Sequence, residues 1–316
     1  MTSPPVGRAS RLAGYVFALT AGALWGTTGP LSTKLYAEGA ALTGIGFWRV
    51  LLGTGGLALY ALAADRALFR IDRRGVVLVG VGGGALVALF EVAYQFGIAG
   101  AGVAGAAALL YTAPVLVAVL ALPFLGERLT TLRMGLAVVV MAGAALTVTG
   151  GSHGGSDGGT PAGASLAAGV AGGALAALSY AGTTLLARYA VPRYGTVRVL
   201  FYELLGGTTI LGIVLPLAGH APTAPPTPGA WTYVLALTIG TVLLANFAFF
   251  SAVRRIEAAP TAVAATIEPV VGALLALTLL GQQLTASGWI GLLMVVLGVA
   301  AGYWREAFRK GTGERG

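Results

Sequence analysis

The stretch AGAAALLYTAPVLVAVLALPFLGERLT, residues 104–130, decides the reading of this chain, because it returns 155 residues later as PTAVAATIEPVVGALLALTLLGQQLT, residues 260–285. With Pro114 laid on Pro269, the run to Thr130 and Thr285 needs no gap, and ten of its seventeen positions are identical. A bias toward Ala, Leu and Gly does not produce so long a match at a single offset. The mismatches inform as well. Glu127-Arg128 in the first copy is Gln282-Gln283 in the second. One unit placed twice in a membrane in opposite orientations would differ in this way, keeping arginine on the cytoplasmic side and dropping it on the other.

Working outward, the composition fits only a membrane protein. Apolar residues make up 57% of the 316 positions and charged residues 9%, against roughly 25% charged in a soluble domain. Cutting at the charged and Pro/Gly-rich breaks leaves ten apolar segments, near 12–34, 41–63, 75–97, 101–123, 130–149, 165–187, 197–218, 231–252, 258–280 and 285–304. Each approaches the ~20 residues that cross ~30 Å of hydrocarbon as a helix. The expected fold is therefore an all-α integral membrane protein of ten transmembrane helices, arranged as two inverted five-helix repeats.

The net charge of +8 could point to nucleic acid, but the basic residues sit in short clusters at segment ends rather than along one face. Alternating the segments from a cytoplasmic N-terminus puts seventeen Lys and Arg on the inner side and Lys34 alone on the outer side. This asymmetry predicts both termini in the cytoplasm and supports the count of ten, since a missed or extra span would invert every later loop. Scarce lysine beside abundant Arg, Ala and Gly fits a GC-rich bacterial genome, hence a multi-pass protein of the bacterial inner membrane. There is no cysteine, which excludes disulfides and thiolate metal sites. The first apolar run is too long for a signal peptide and reads as the first span.

The expected organisation is a first repeat over 12–149, a Gly/Ser-rich outer linker over 150–164, a second repeat over 165–304 and a basic cytoplasmic tail over 305–316. The 155-residue offset also matches Gly14 with Gly169 and Trp25 with Tyr180, so the repeat reaches the first span. Gly22 and Gly26 lie on one face at the spacing that lets two helices approach closely, and Gly29-Pro30 is expected to break or kink that span. The run Gly80 to Gly84 loosely imitates a phosphate loop, but no strand precedes it, so it reads as helix packing. His153 and His220 fall in outer loops and read as solvated rather than metal-binding.

Ionisable groups at hydrocarbon depth are functional candidates, since one at a helix centre costs ~2.5 to 3.5 kcal/mol on insertion scales. Four occur here: Arg49, Glu91, Glu203 and Glu268. Arg49 and Glu91 share a depth on adjacent spans and read most simply as a structural ion pair; Glu203 and Asn246 share a depth in the inner half. Glu268 stands apart. It lies near the midplane before Pro269, its repeat partner is Ala113, and no cation appears at its depth, so it is the candidate for proton coupling or for holding an amine-bearing solute. The aromatics Trp25, Trp48, Tyr94, Tyr111, Tyr180 and Tyr202 recur at comparable depths in both halves. With Arg49, Glu91, Glu203, Asn246 and Glu268 they form the expected substrate-binding set; singly, each is as readily explained by helix packing.

Trp25-Gly26, the run Phe47-Trp48-Arg49, APVLVAVLALPFLGERLT and EPVVGALLALTLLGQQLT, set in ten spans, resemble the drug/metabolite transporter superfamily, specifically its EamA-type branch. The resemblance covers about 12–304, and Gln282-Gln283 departs from the Glu that many second copies carry there. It implies a secondary active transporter, in the exporting direction, of small metabolites such as amino acids or amphipathic drugs. Transport would proceed by alternating access around a central cavity, driven by a proton or solute gradient. No cofactor, metal or nucleic acid is implied; the partners are a small-molecule substrate and the lipid bilayer, with a homodimer left open. The alternatives are an importer of the same fold and a membrane-embedded lipid-modifying enzyme. The second is disfavoured because no clustered acids, metal-ligating histidines or nucleophile beside a base appear.

Overall fold

In the computed structural model of the chain, residues 8–126, 130–149, 165–280 and 285–308 are described. The two Gly-Gln and Glu-Arg turns at 281–284 and 127–129, the linker at 150–164 and the tail beyond 308 lie outside them. The regular structure of the described residues is helical throughout: α-helices, one short 3-10 turn and two π-helical stretches.

In the first part of the chain, α1 (Arg8–Trp25) and α2 (Thr28–Ala37) form a broken first span, followed by α3 (Leu42–Ala63). The break falls at Gly26-Thr27 rather than at the expected Gly29-Pro30. Pro30 instead sits in the first turn of α2, where its missing N–H is not needed. After a 3-10 turn at Arg66–Phe69, α4 (Arg73–Gly75) runs on through a π-helical stretch, Val76–Gly83, into α5 (Gly84–Leu110); α6 (Ala113–Leu125) and α7 (Thr131–Thr149) follow. The segment α5 is not a straight rod. Gly172 lies against Ala93 and Gly97, while its neighbour Gly173 lies against Leu109. Twelve residues of straight helix would separate those contacts by about 18 Å, so α5 is bent between Gly97 and Leu109, where the third and fourth spans were expected to part.

The remaining helices are α8 (Leu166–Tyr194), α9 (Thr196–Leu217), α10 (Pro228–Leu237), a π-helical stretch at Thr238–Leu244 continued by α11 (Ala245–Val253), then α12 (Ala258–Ala265), α13 (Glu268–Leu280) and α14 (Ala286–Phe308). Element bounds recur at the sequence offset. Both ends of α13 lie 155 residues after those of α6, and α14 starts 155 residues after α7. The packing pairs elements across the chain: α5 lies along α8, α1 along α11, α3 along α9 and α7 along α14.

Among the described residues, six helical stretches are long and apolar enough to cross a bilayer, including Thr43–Ala63, Ala167–Tyr194 and Pro228–Val253, with shorter apolar helices at Ala113–Leu125, Met134–Leu146 and Ala286–Ala301. Leu59, Phe124, Leu217, Ile290 and Leu297 are each more than half exposed. Water would penalise such a surface, but lipid does not. The protein is thus an all-α, multi-pass membrane protein.

Small residues, not large ones, set the closest approaches. A Cβ on Gly206 would lie 1.8 Å from the carbonyl oxygen of Gly80, and Gly84 abuts Gly206 and Gly207. The Gly80–Gly84 run is therefore a helix-crossing surface, as expected of packing in lipid. The molecule has two distinguishable ends. At one, Arg198 Nη2 donates to the carbonyl of Ala67 at 2.8 Å, and Arg188 donates to the carbonyl of Val253. At the other, Trp48 Nε1 donates to the carbonyl of Thr223 at 2.9 Å, and Thr227 Oγ1 donates to Glu38.

Candidate functional site

The two helix breaks inside the membrane occupy equivalent positions. Tyr111-Thr112 separates α5 from α6, and Thr266-Ile267, 155 residues on, separates α12 from α13. Their hydrogen bonding corresponds as well. Val115 and Leu116 donate to the Thr112 carbonyl, and Val270 and Val271 donate to the Ile267 carbonyl. The cause lies in the sequence, because Pro114 and Pro269 each follow a break and cannot donate to the preceding turn. Opposed half-helix ends leave backbone groups at membrane depth, which is tolerable only inside protein or beside a cavity.

A cavity lies there. It is lined by Leu110, Tyr111, Ala113 and Pro114 from the first break, by Ala265, Thr266 and Glu268 from the second, and by Tyr180 of α8. Leu110 and Ala265, Tyr111 and Thr266, and Ala113 and Glu268 are repeat partners, so corresponding positions of both halves meet around one small space. Its volume is about 20 Å³, enough for one water and too small for a solute. The site is closed.

Three polar side chains face one another across it: the Glu268 carboxyl and the phenols of Tyr111 and Tyr180. None of them hydrogen-bonds to a described residue, although buried polar groups in folded proteins are nearly always paired. The α1 helix backs the second break. A Cβ on Gly22 would lie 2.2 Å from the Ala265 carbonyl oxygen, and one on Gly26 would lie 2.7 Å from that of Glu268. Only glycine permits this contact, which holds Glu268 against the end of α1.

Trp25 lies beside the cavity. Its ring meets Tyr180 edge-on at 6.0 Å and Phe249 at 5.2 Å, and Tyr180 meets Phe249 at 5.7 Å. Its Nε1 donates to the Thr241 carbonyl at 3.0 Å, within the π-helical stretch. Asn246 Nδ2 donates to the carbonyls of Thr241 and Val242, so it serves that irregular backbone and does not meet Glu203.

The other expected site residues are dispersed. Arg49 Nη2 lies 3.1 and 3.2 Å from the two Glu91 oxygens, forming the ion pair that their shared depth predicted. Glu203 is 2% exposed, packed against Gly83 and Leu186, and its Oε1 has no partner among the described residues. Trp48 packs on Trp231 at 5.2 Å, near the end of the molecule that holds Thr223. Tyr202 donates to the Phe69 carbonyl at 2.8 Å, at the opposite end. Tyr94 stacks on Phe90 of its own helix. Of the eleven expected residues, then, Tyr111, Tyr180 and Glu268 line the cavity and Trp25 adjoins it.

Thr266 and Phe249 were missed. Thr266 was legible as the repeat partner of Tyr111, but nothing in ANFAFF, residues 245–250, distinguishes Phe249 from its neighbours.

Residues 12–149 and 167–303 each match the EamA-like transporter family. The chain is 30% identical over 197 residues to the pseudopaline exporter of Pseudomonas aeruginosa, a match covering 62% of this chain and 63% of that protein. It is 26% identical over 277 residues to a protein of Streptantibioticus cattleyicolor named "Probable terminal-alkyne amino-acid exporter", covering 87% and 88% of the two chains. A crystal structure at 21% identity superposes with a TM-score of 0.71 over 93% of this chain and 97% of that one, a likeness of fold.

Proposed function

We propose that this chain, which belongs to the EamA-like transporter family and is a transporter rather than an enzyme, exports small amine-bearing metabolites of the amino-acid class by alternating access. The observation that carries this reading is the cavity itself. Corresponding positions of the two helix breaks converge on a small pocket that holds the Glu268 carboxyl and two phenols, the place where a two-repeat carrier binds its solute. Tyr111, Tyr180 and Glu268 contact the solute, and Trp25 walls the pocket. Glu268 supplies the negative charge, either to an ammonium group or to a proton that it carries in exchange.

The architecture that goes with this function is ten spans in two inverted five-helix repeats, 12–149 and 165–304, joined by the linker at 150–164 and followed by the basic tail at 305–316. The matched element bounds and the equivalent breaks support it. Both termini lie in the cytoplasm of a bacterial inner membrane, the end rich in arginine facing inward. Two relatives that are exporters favour outward movement.

The test is counterflow in proteoliposomes preloaded with unlabelled amino acids. Saturable exchange of label is expected, and Glu268→Gln should abolish it in protein that still inserts and folds. Flux that rises linearly with concentration, or an unaffected Glu268→Gln carrier, would sink the assignment. For topology, cysteines placed at Ser10 and Ser156 should label from opposite faces of the membrane; labelling of both from one face would refute it.

A further inference from the structure

The central cavity admits one water, but a far larger opening exists elsewhere. A cleft of about 340 Å³ lies at the arginine-rich end, between the Arg66–Phe69 turn, the junction of α8 with α9, and the end of α11. This is the size at which small-molecule sites begin. Its chemistry is two-signed. Arg198, Arg254 and Arg255 line it together with Asp65, and Leu68 and Phe247 supply apolar wall.

The opposite charges do not neutralise one another, since no ion pair joins Asp65 to Arg198, Arg254 or Arg255. Asp65 accepts the Ala67 N–H through Oδ1, and its other oxygen accepts nothing from a described residue. Arg198 and Arg255 spend part of their guanidinium donors on the carbonyls of Tyr194, Ala67 and Ser251, which fixes them in place with donors to spare. Arg198 Nε is buried without a partner. The same cleft receives Gly195 and Thr196, where α9 begins with no side-chain cap, so its first amides add positive potential.

The repeat partners of the three arginines, Thr43, Ala99 and Gly100, carry no charge, so the second end has no counterpart of this arrangement. Membrane topology explains arginines at this end. It does not account for an exposed carboxylate that lines the same open cleft without an ion-pair partner there.

The geometry points to a loading site for a zwitterion, with its carboxylate on Arg254 and its neighbours, its ammonium on Asp65, and its apolar portion against Leu68 and Phe247. The inference deepens the export reading and rests on it, because a loading site belongs on the side from which solute departs. The phosphate and ammonium of a phosphatidylethanolamine headgroup share this chemistry, so lipid is the competing source.

The experiment measures equilibrium binding of L-phenylalanine, 3-phenylpropionate and phenethylamine to the full chain in phosphatidylglycerol nanodiscs. Expected is a preference for phenylalanine, weakened about tenfold or more by Arg254→Gln. Asp65→Asn, which preserves the acceptor for Ala67, should erase the preference over 3-phenylpropionate without weakening the latter. Glu268→Gln should keep cleft binding while losing flux.

Wild-type affinity in both cleft variants, or no binding to the wild type, overturns the inference. So does Arg254-dependent copurification of phosphatidylethanolamine that phenylalanine cannot displace. Arg254-dependent binding without counterflow would instead remove the transport reading and leave the cleft standing.

Discussion

The Arg49–Glu91 pair offers a perturbation whose size follows from the structure. One guanidinium nitrogen bridges both carboxylate oxygens at 3.1 and 3.2 Å, with the side chains 13% and 11% exposed. At an effective dielectric of about 20, two unit charges that close attract by about 5 kcal/mol, and desolvation of the ions takes back several kcal/mol of it. The net coupling should therefore fall near 1.5 to 3 kcal/mol, within the range that double-mutant cycles give for contacting groups. Each single alanine variant loses more, roughly 3 kcal/mol, because it strands the other charge. A second perturbation reaches the same pair without deleting a charge. A Cβ on Gly46 would lie 2.7 Å from Glu91 Oε2, so Gly46→Ala must displace that carboxylate. Graded SDS titration in mixed micelles should show Arg49→Ala and Glu91→Ala each destabilised and the double variant losing clearly less than the sum. Gly46→Ala should destabilise the wild type and be nearly silent on Glu91→Ala. Additive losses in both cycles would refute the pairing and the proximity together.

Other expectations follow from single contacts. Gly22→Ala should cost about 1 to 3 kcal/mol by overpacking against the Ala265 carbonyl, whereas Gly55→Ala, with nothing within 4 Å, should be neutral or stabilising in the same titration. Glu203→Gln should fold and transport like the wild type, because Oε1 has no partner among the described residues and Glu203 lines neither the central cavity nor the arginine-rich cleft; Glu203→Lys should leave no folded protein in a yield assay. Asp72 is held below the ordinary carboxyl range, first by the Gly75 N–H and then by the Tyr194 hydroxyl. Its contribution is present above that range and is lost as pH falls through the lowered value. Asp72→Asn should therefore flatten the acid side of the stability profile, and an unchanged profile would count against the contact.

What could be read from the sequence was what repeats. The 155-residue offset paired Pro114 with Pro269, beside which both breaks fall although the expected spans ran through them, and shared depth was enough to pair Arg49 with Glu91. Depth failed for Tyr202 and Trp48 because it fixes a position along a helix but not the direction in which a side chain points. Those two rings turn toward the ends of the molecule, to Phe69 and Thr223. Asn246 was misleading for another reason: its partner is a π-helical backbone two turns or less away, and no hydrophobic period announces a π stretch. The arginine-rich cleft was hidden because the positive-inside rule already accounted for each of its cations, and only the fold brings Asp65 among them.

The small cavity also bears on what would have to move under the proposed function. A space of about 20 Å³ is too small for an amino acid, so on that proposal the two breaks are expected to separate when solute binds. The α12–α13 break is gripped by glycine-to-carbonyl contacts along α1, while the repeat partners of Gly22 and Gly26 on α8 are Ala177 and Ala181. A methyl group at each position keeps the helices farther apart and weakens close backbone approach. The first break is thus the looser of the two. It is the half that should swing, carrying Tyr111 away from a Glu268 that stays fixed to α1.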